Sequence, residues 1–206
     1  LKDKICSFIS IKDVINLKGD PERINIYLRH DLDKSPENVK LLCRIDKEYD
    51  LIESTAIYVI VLGKDEFYGG CNYVINGEID DSLRHLLLEL KDSGFEIGLH
   101  SIAWASSNFD EIFNLEINRF KSLLGFYPKT FTFHGFLPPK QTKNLRWKFI
   151  RWFNKSEYCN KIKHLDIGRV ILSDSSNYPW IHPPLLDYYF LGELTFILTH
   201  PNNWYE

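Results

Sequence analysis

No run of this sequence is apolar for long enough to cross a bilayer, so a transmembrane helix is not expected. No glycine-rich loop follows any strand-like run, which takes support from a dinucleotide-binding fold. The four cysteines, Cys6, Cys43, Cys71 and Cys159, form no C-x-x-C pair. That argues against a zinc knuckle or a secreted disulfide framework, and for free thiols in a reducing compartment. The opening "LKDKICSFIS" lacks the apolar core and cleavage site of a signal peptide, so the expected location is cytoplasmic. Methionine is absent, even from position 1, which makes a segment before Leu1 one expectation and loss of methionine positions the other. The net charge of −3 is too small to point to a nucleic-acid partner, and none is expected. No repeat, low-complexity tract or linker divides the chain, so one domain over 1–206 is expected.

The sequence is rich in apolar residues (44%) balanced by charge (26%), which predicts a soluble globular domain large enough to bury a core. Aromatic residues reach 15%, and they serve either as sugar-stacking walls or as core filling.

Strand-like and helix-like runs alternate. "INIYLRHDLD" reads as a strand with a polar exit. "SPENVKLLCRIDKEYD" follows as a helix, with Ser35 as N-cap, Pro36 at the first position, and Val39, Leu42, Cys43, Ile45 and Tyr49 inward. "STAIYVIVL" reads as a fully buried strand. Leu83, Leu86, Leu87 and Leu90 stripe the next helix, which Gly94 can close. "FEIGLHS" is a strand. The helix after it turns Ile112, Phe113, Ile117, Phe120 and Leu124 inward and stops at Gly125. "TFTFHG" is a strand, "KNLRWKFIRWF" a helix, and "RVILSDSS" and "LTFILTHP" late strands. This period means βαβ units and a mainly parallel sheet, either doubly wound or closed into a barrel.

The polar residues fall in a pattern. Asp31 and Asp33, His100, His134, Asp174 and His200 each stand at the carboxyl end of one of five strands. In parallel α/β folds that is the side where ligand sites assemble. Each alone has a plain structural explanation, as a hydrogen-bonded rim histidine or a turn-forming aspartate. Their joint occurrence points to one shared site. Imidazoles with carboxylates suit a divalent metal such as zinc and leave groups for proton transfer. In a regular strand Asp31 and Asp33 share a face, and two like charges so close call for a cation; Arg29 or a metal would serve.

Together "RHDLD", "FEIGLHS", "FHG", "LSDSS" and "LTHPNNW", in order from Arg29 to Trp204, resemble the polysaccharide deacetylase family. That family is also called the nodulation-deacetylase homology domain, or carbohydrate esterase family four. The opening is most similar to its R-H-D-V-D branch, associated with surface-polysaccharide biosynthesis. The resemblance implies a distorted (β/α)7 barrel and metal-dependent removal of an N-acetyl group from a sugar or glycan. It implies Asp31 as general base and Asp33 as metal ligand, with the reverse assignment open, His100 as a ligand and His200 as general acid. The family's second motif, H-S/T-x-x-H, ends here on Trp104, so His134 is the candidate to complete the metal site. The family's Arg-x-Pro motif is replaced by "FHG". Zinc is the first choice of metal, with cobalt, manganese and nickel as alternatives. Arg29, Asp174 and Trp204 are substrate-binding candidates, and Trp180 is a further stacking candidate. Two rival readings are a non-catalytic relative that binds a glycan or nucleotide sugar, and a metal hydrolase of another bond.

The segment 140–164 carries Lys140, Lys143, Arg146, Lys148, Arg151, Lys155, Lys161 and Lys163 against one acid, Glu157, with Trp147, Phe149, Trp152 and Phe153 interleaved. It reads either as a solvated basic helix face or as a contact for anionic lipid at a membrane surface, a lipid-linked glycan or nucleic acid.

Overall fold

The computed structural model describes residues 6–32, 38–62, 81–106, 108–134, 139–165, 169–173, 192 and 194–200. In chain order the elements are β1 (Cys6–Phe8), α1 (Ile11–Ile15), β2 (Ile24–Leu32), α2 (Val39–Glu48), β3 (Thr55–Val59), α3 (Asp81–Asp92), β4 (Glu96–Ser101), α4 (Phe109–Leu124), β5 (Thr130–Phe133), α5 (Pro139–Phe153), β6 (Lys163–His164), β7 (Arg169–Ser173) and β8 (Leu194–Thr199). The alternation expected from the sequence is present, and the short β1, α1 and β6 are additions to it. The chain divides into two compact units, Leu1–Ile57 with Glu89–Glu96 and Ile167–Glu206, and Tyr58–Leu88 with Ile97–Asp166.

In the first unit β1, β2, β8 and β7 pair in parallel. β2 is buried at all nine positions, which is why its sequence is mainly apolar, Asn25 apart, until its exit. It lies in register with β8 from Asn25↔Leu194 to His30↔Thr199. Asn25 fixes the turn leading into β2: its Oδ1 accepts from the Asp20 amide at 2.8 Å, and its Nδ2 donates to the Asp20 carbonyl at 3.0 Å. A Cβ at Gly19 would meet that side-chain amide at 2.8 Å, so the turn requires glycine. On α2 the buried stripe is Val39, Leu42, Cys43 and Asp46. Tyr49, expected inward, is exposed, and Asp46 is buried instead. Burial and the neighbouring Asp46 push the Cys43 thiol far above its ordinary range, so it stays protonated. Cys6, Cys43 and Cys159 are free thiols, as the sequence suggested; Cys71, Ser35 and Pro36 lie outside the described residues.

In the second unit β4, β5 and β6 pair in parallel. The aromatic share of the sequence goes largely into this core. Phe113 of α4, Phe131 and Phe133 of β5, and Phe149 and Phe153 of α5 meet edge to face, with centroids 4.9 Å apart for Phe131–Phe153 and 5.4 Å for Phe133–Phe149. A Cβ at Gly98 would press into the Tyr58 ring and the Thr130 hydroxyl, so β4 needs glycine there. Gly125, at φ 82°, closes α4 in the left-handed conformation. Among the described residues no helix is long and apolar enough to cross a membrane.

Candidate functional site

At the end of β2, alternation separates two polar pairs. Arg29 and Asp31 share one face. Their side chains form a two-point clamp, with Arg29 Nε and Nη2 donating to Asp31 Oδ1 and Oδ2, each at 2.7 Å. Both are nearly closed to solvent, at 3% and 2% exposure. The guanidinium lies 5.7 Å from the Phe196 ring of β8, so Phe196 belongs to the same face. His200 follows β8 one residue beyond the His30↔Thr199 pair, and Asp31 follows His30 likewise. The two proton-transfer candidates therefore leave neighbouring parallel strands at the same end, and alternation carries both away from the His30 face.

His30 faces the other way. Its Nε2 lies 2.7 Å from Asp46 Oδ2, and its Nδ1 lies 2.5 Å from Thr199 Oγ1. The Thr199 hydroxyl stands between that ring nitrogen and the Arg29 carbonyl, to which it donates at 3.5 Å. One buried imidazole thus ties β2 to both α2 and β8, at the positions that immediately precede Asp31 and His200.

In the second unit His100 ends β4 and His134 follows β5. Both are buried, and their rings meet edge to face with centroids 5.0 Å apart. His100 Nδ1 lies 2.9 Å from Thr132 Oγ1, its register partner on β5, which sets the ring's orientation. The His134 backbone is held at three points: its amide donates to the Ser101 carbonyl at 3.0 Å, and its carbonyl accepts from Trp104 Nε1 at 2.9 Å and Arg146 Nη2 at 3.4 Å. Trp104, where the family motif has its second histidine, is fully buried, with the Arg146 guanidinium 4.8 Å from its ring.

Beneath that turn sits Glu116 of α4, fully buried. Its Oε2 lies 2.6 Å from Ser101 Oγ, and its Oε1 accepts from the Ile102 amide at 2.7 Å. Burial raises its carboxyl to about 8, against the opposing pull of the Ser101 hydroxyl and the Ile102 and Ala103 amides. Glu116 braces the turn after His100 as a neutral group at pH 7.

The structure therefore places Arg29, Asp31 and His200 in the first unit, and His100 and His134 in the second. Asp33, Asp174, Trp180 and Trp204 lie outside the described residues. Among the described residues no group of three or more His, Cys, Asp or Glu is arranged to hold a metal. Two buried imidazoles from adjacent strands do fit as part of a zinc donor set, and the third expected ligand, Asp33, falls outside that description. Sequence reasoning missed Asp46, Thr199 and Glu116, and met Trp104 only as a departure from the motif and Arg146 only as part of the basic segment. The available signal was an acid standing in the apolar stripe of a helix: Asp46 after Leu42 and Cys43, and Glu116 between Phe113 and Phe120.

The fold is that of the polysaccharide deacetylase (β/α) barrels. The crystal structure of the catalytic domain of a peptidoglycan N-acetylglucosamine deacetylase from Eubacterium rectale aligns with a TM-score of 0.54 over 86% of this chain and 76% of its own, at 12% identity. A family 4 carbohydrate esterase from Bacillus anthracis aligns at 0.47 over 98% and 74%, with 16% identity. A mutant of a CE4-family pseudoenzyme with restored enzymatic activity aligns at 0.48 over 89% and 58%, with 12% identity. No protein-family profile and no curated protein matches the chain.

Proposed function

We propose that the protein is a metal-dependent hydrolase that removes an N-acetyl group from a sugar or polysaccharide precursor of a cell-surface glycan, acting in the cytoplasm. The observation that carries this reading is the pair of buried imidazoles, His100 and His134, 5.0 Å apart on neighbouring parallel strands. In this reading His100 and His134, with Asp33, hold a divalent cation, zinc before cobalt, manganese or nickel. When bound, the cation supplies Lewis-acid polarisation of the acetamide carbonyl and a more acidic water. Asp31 takes the proton of the attacking water. The Arg29 clamp fixes its carboxylate plane. His200, in its protonated form, gives a proton to the departing amine. Acetate and an amino sugar result. Asp174 binds sugar hydroxyls, and Trp204 stacks on a sugar face.

Trp104 favours a second reading. A fully buried indole stands where the family motif has a histidine, which suits a relative that binds a glycan without cleaving it. One experiment separates the two. Protein purified without chelator is assayed for bound metal, and wild type is compared with His100→Ala for acetate release from N-acetylated oligosaccharides. The hydrolase reading expects metal uptake by wild type and a loss of release in the variant of at least about a hundredfold. No metal uptake, or equal release by both proteins, overturns it.

A further inference from the structure

The sequence placed eight cations between Lys140 and Lys163, and the structure sorts them. Arg146 turns inward, over the rings of Trp104 and Phe133 at 4.8 Å and 5.2 Å. Lys161 is engaged by Glu157 at 2.8 Å. Phe149 and Phe153 are core residues. Lys140 and Lys143 lie outside the described side chains; among those described, the outward residues of α5 form one stripe, with Asn144, Trp147, Lys148 and Arg151 at helical spacing and Lys155 just past the helix end. Lys148, Arg151 and Lys155 are exposed and pair with no acid among the described residues. The helix contains no acidic residue at all. Trp147 is 64% exposed in the middle of these cations.

A buried-core account explains Phe149 and Phe153 but not an indole left in water beside three unpaired cations. The apolar face of α5 is taken up by the core, so what it offers outward is a cationic surface with one indole, a composition that suits an anionic lipid surface. There the indole sits at headgroup depth and the cations meet lipid phosphates. A nucleic-acid strand fits less well. Such binders line a basic groove with successive stacking platforms, whereas α5 offers one ring on a helix surface and the whole chain is net negative at −3.

We propose that α5 docks the protein on an anionic lipid surface, with Trp147 at headgroup depth and Lys148, Arg151 and Lys155 on the phosphates. The face is independent of the hydrolase reading, and its test needs no catalysis. Full-length protein is sedimented with vesicles of phosphatidylcholine containing one quarter phosphatidylglycerol, with vesicles of phosphatidylcholine alone, and with the anionic vesicles plus an oligothymidylate competitor. Circular dichroism checks that each variant is folded. Binding to the anionic vesicles only is expected, weakening as salt rises. Each neutralised cation should weaken it about fivefold, so Lys148→Gln, Arg151→Gln and Lys155→Gln together should lower it on the order of a hundredfold. Trp147→Ala should weaken binding even at low salt, where the charges are least screened. Equal binding to neutral vesicles, full binding by the triple variant, or displacement by the oligonucleotide at stoichiometric amounts overturns the proposal.

Discussion

Arg29 and Asp31 show how much one buried pair constrains the reading of a mutation. Both oxygens of Asp31 accept from the same guanidinium, and neither residue is open to bulk solvent. Removing one partner takes this two-point ion pair away from the other charge in the interior, at a cost of about 3–5 kcal/mol. Arg29→Met should therefore lower the unfolding free energy in urea by that amount, and Arg29→Met with Asp31→Leu should recover most of it. If Asp31 is the base, acetate release stays lost in the double variant although stability returns. The sequence offered Arg29 or a metal as the counter-charge here, and the structure shows Arg29 facing Asp31. It gave no hint that His30, in the middle of the same motif, serves the opposite face. That follows from strand alternation combined with contacts 16 and 169 residues away along the chain, and no local pattern records such distances. Thr199→Val removes the hydroxyl beneath His200 and leaves a buried ring nitrogen unmatched, costing about 1–3 kcal/mol. Acetate release should fall in that variant and return in Thr199→Ser, while a merely structural hydroxyl would move stability alone.

At the scale of elements, two helices repeat one device. α2 and α4 each carry a single acid in an otherwise apolar stripe, and each acid reaches a strand exit: Asp46 to His30, Glu116 to Ser101 and Ile102. Helical periodicity found the apolar members of both stripes and passed over the acids, because a charge in the stripe reads as a break in pattern rather than as a tether. Glu116 gives this a pH signature. Its carboxyl ionises near 4.5 when exposed and near 8 in the fold. The native state holds the proton that the unfolded chain releases, so this contribution is full below pH 4.5 and is lost as pH rises through 8. Glu116→Gln keeps an acceptor for the Ile102 amide and cannot ionise. Its melting temperature should match wild type in acid and exceed it above pH 8, by on the order of 10 °C. Parallel melting curves across that range would contradict the assignment.

For the whole molecule, the βαβ period was legible because parallel strands are buried on both faces and read as largely apolar runs, as in β3 and, Asn25 apart, the first half of β2. β1, α1 and β6 were not, since elements of three, five and two residues carry no period. The polar exits at Asp31, His100, His134 and His200 were readable for the same reason: a charged residue ending a buried strand is conspicuous. Trp104 was visible only as a departure from a motif, and its work of holding the His134 carbonyl needed the structure.

The pairing of β2 with β8 also sets an order in time. The Asn25 carbonyl accepts from Thr195, and His30 meets Thr199, across some 170 residues of intervening chain. During synthesis β2, which carries a buried arginine, histidine and aspartate, leaves the ribosome some 170 residues ahead of its partner strand. Until β8 arrives, that strand has an open edge and its histidine lacks one of its two contacts. The second unit, whose β4–β5–β6 pairings span far shorter stretches of chain, can close first. The nascent protein therefore waits with its Arg29–Asp31 strand unsealed, in need of protection from other chains, while those intervening residues are translated.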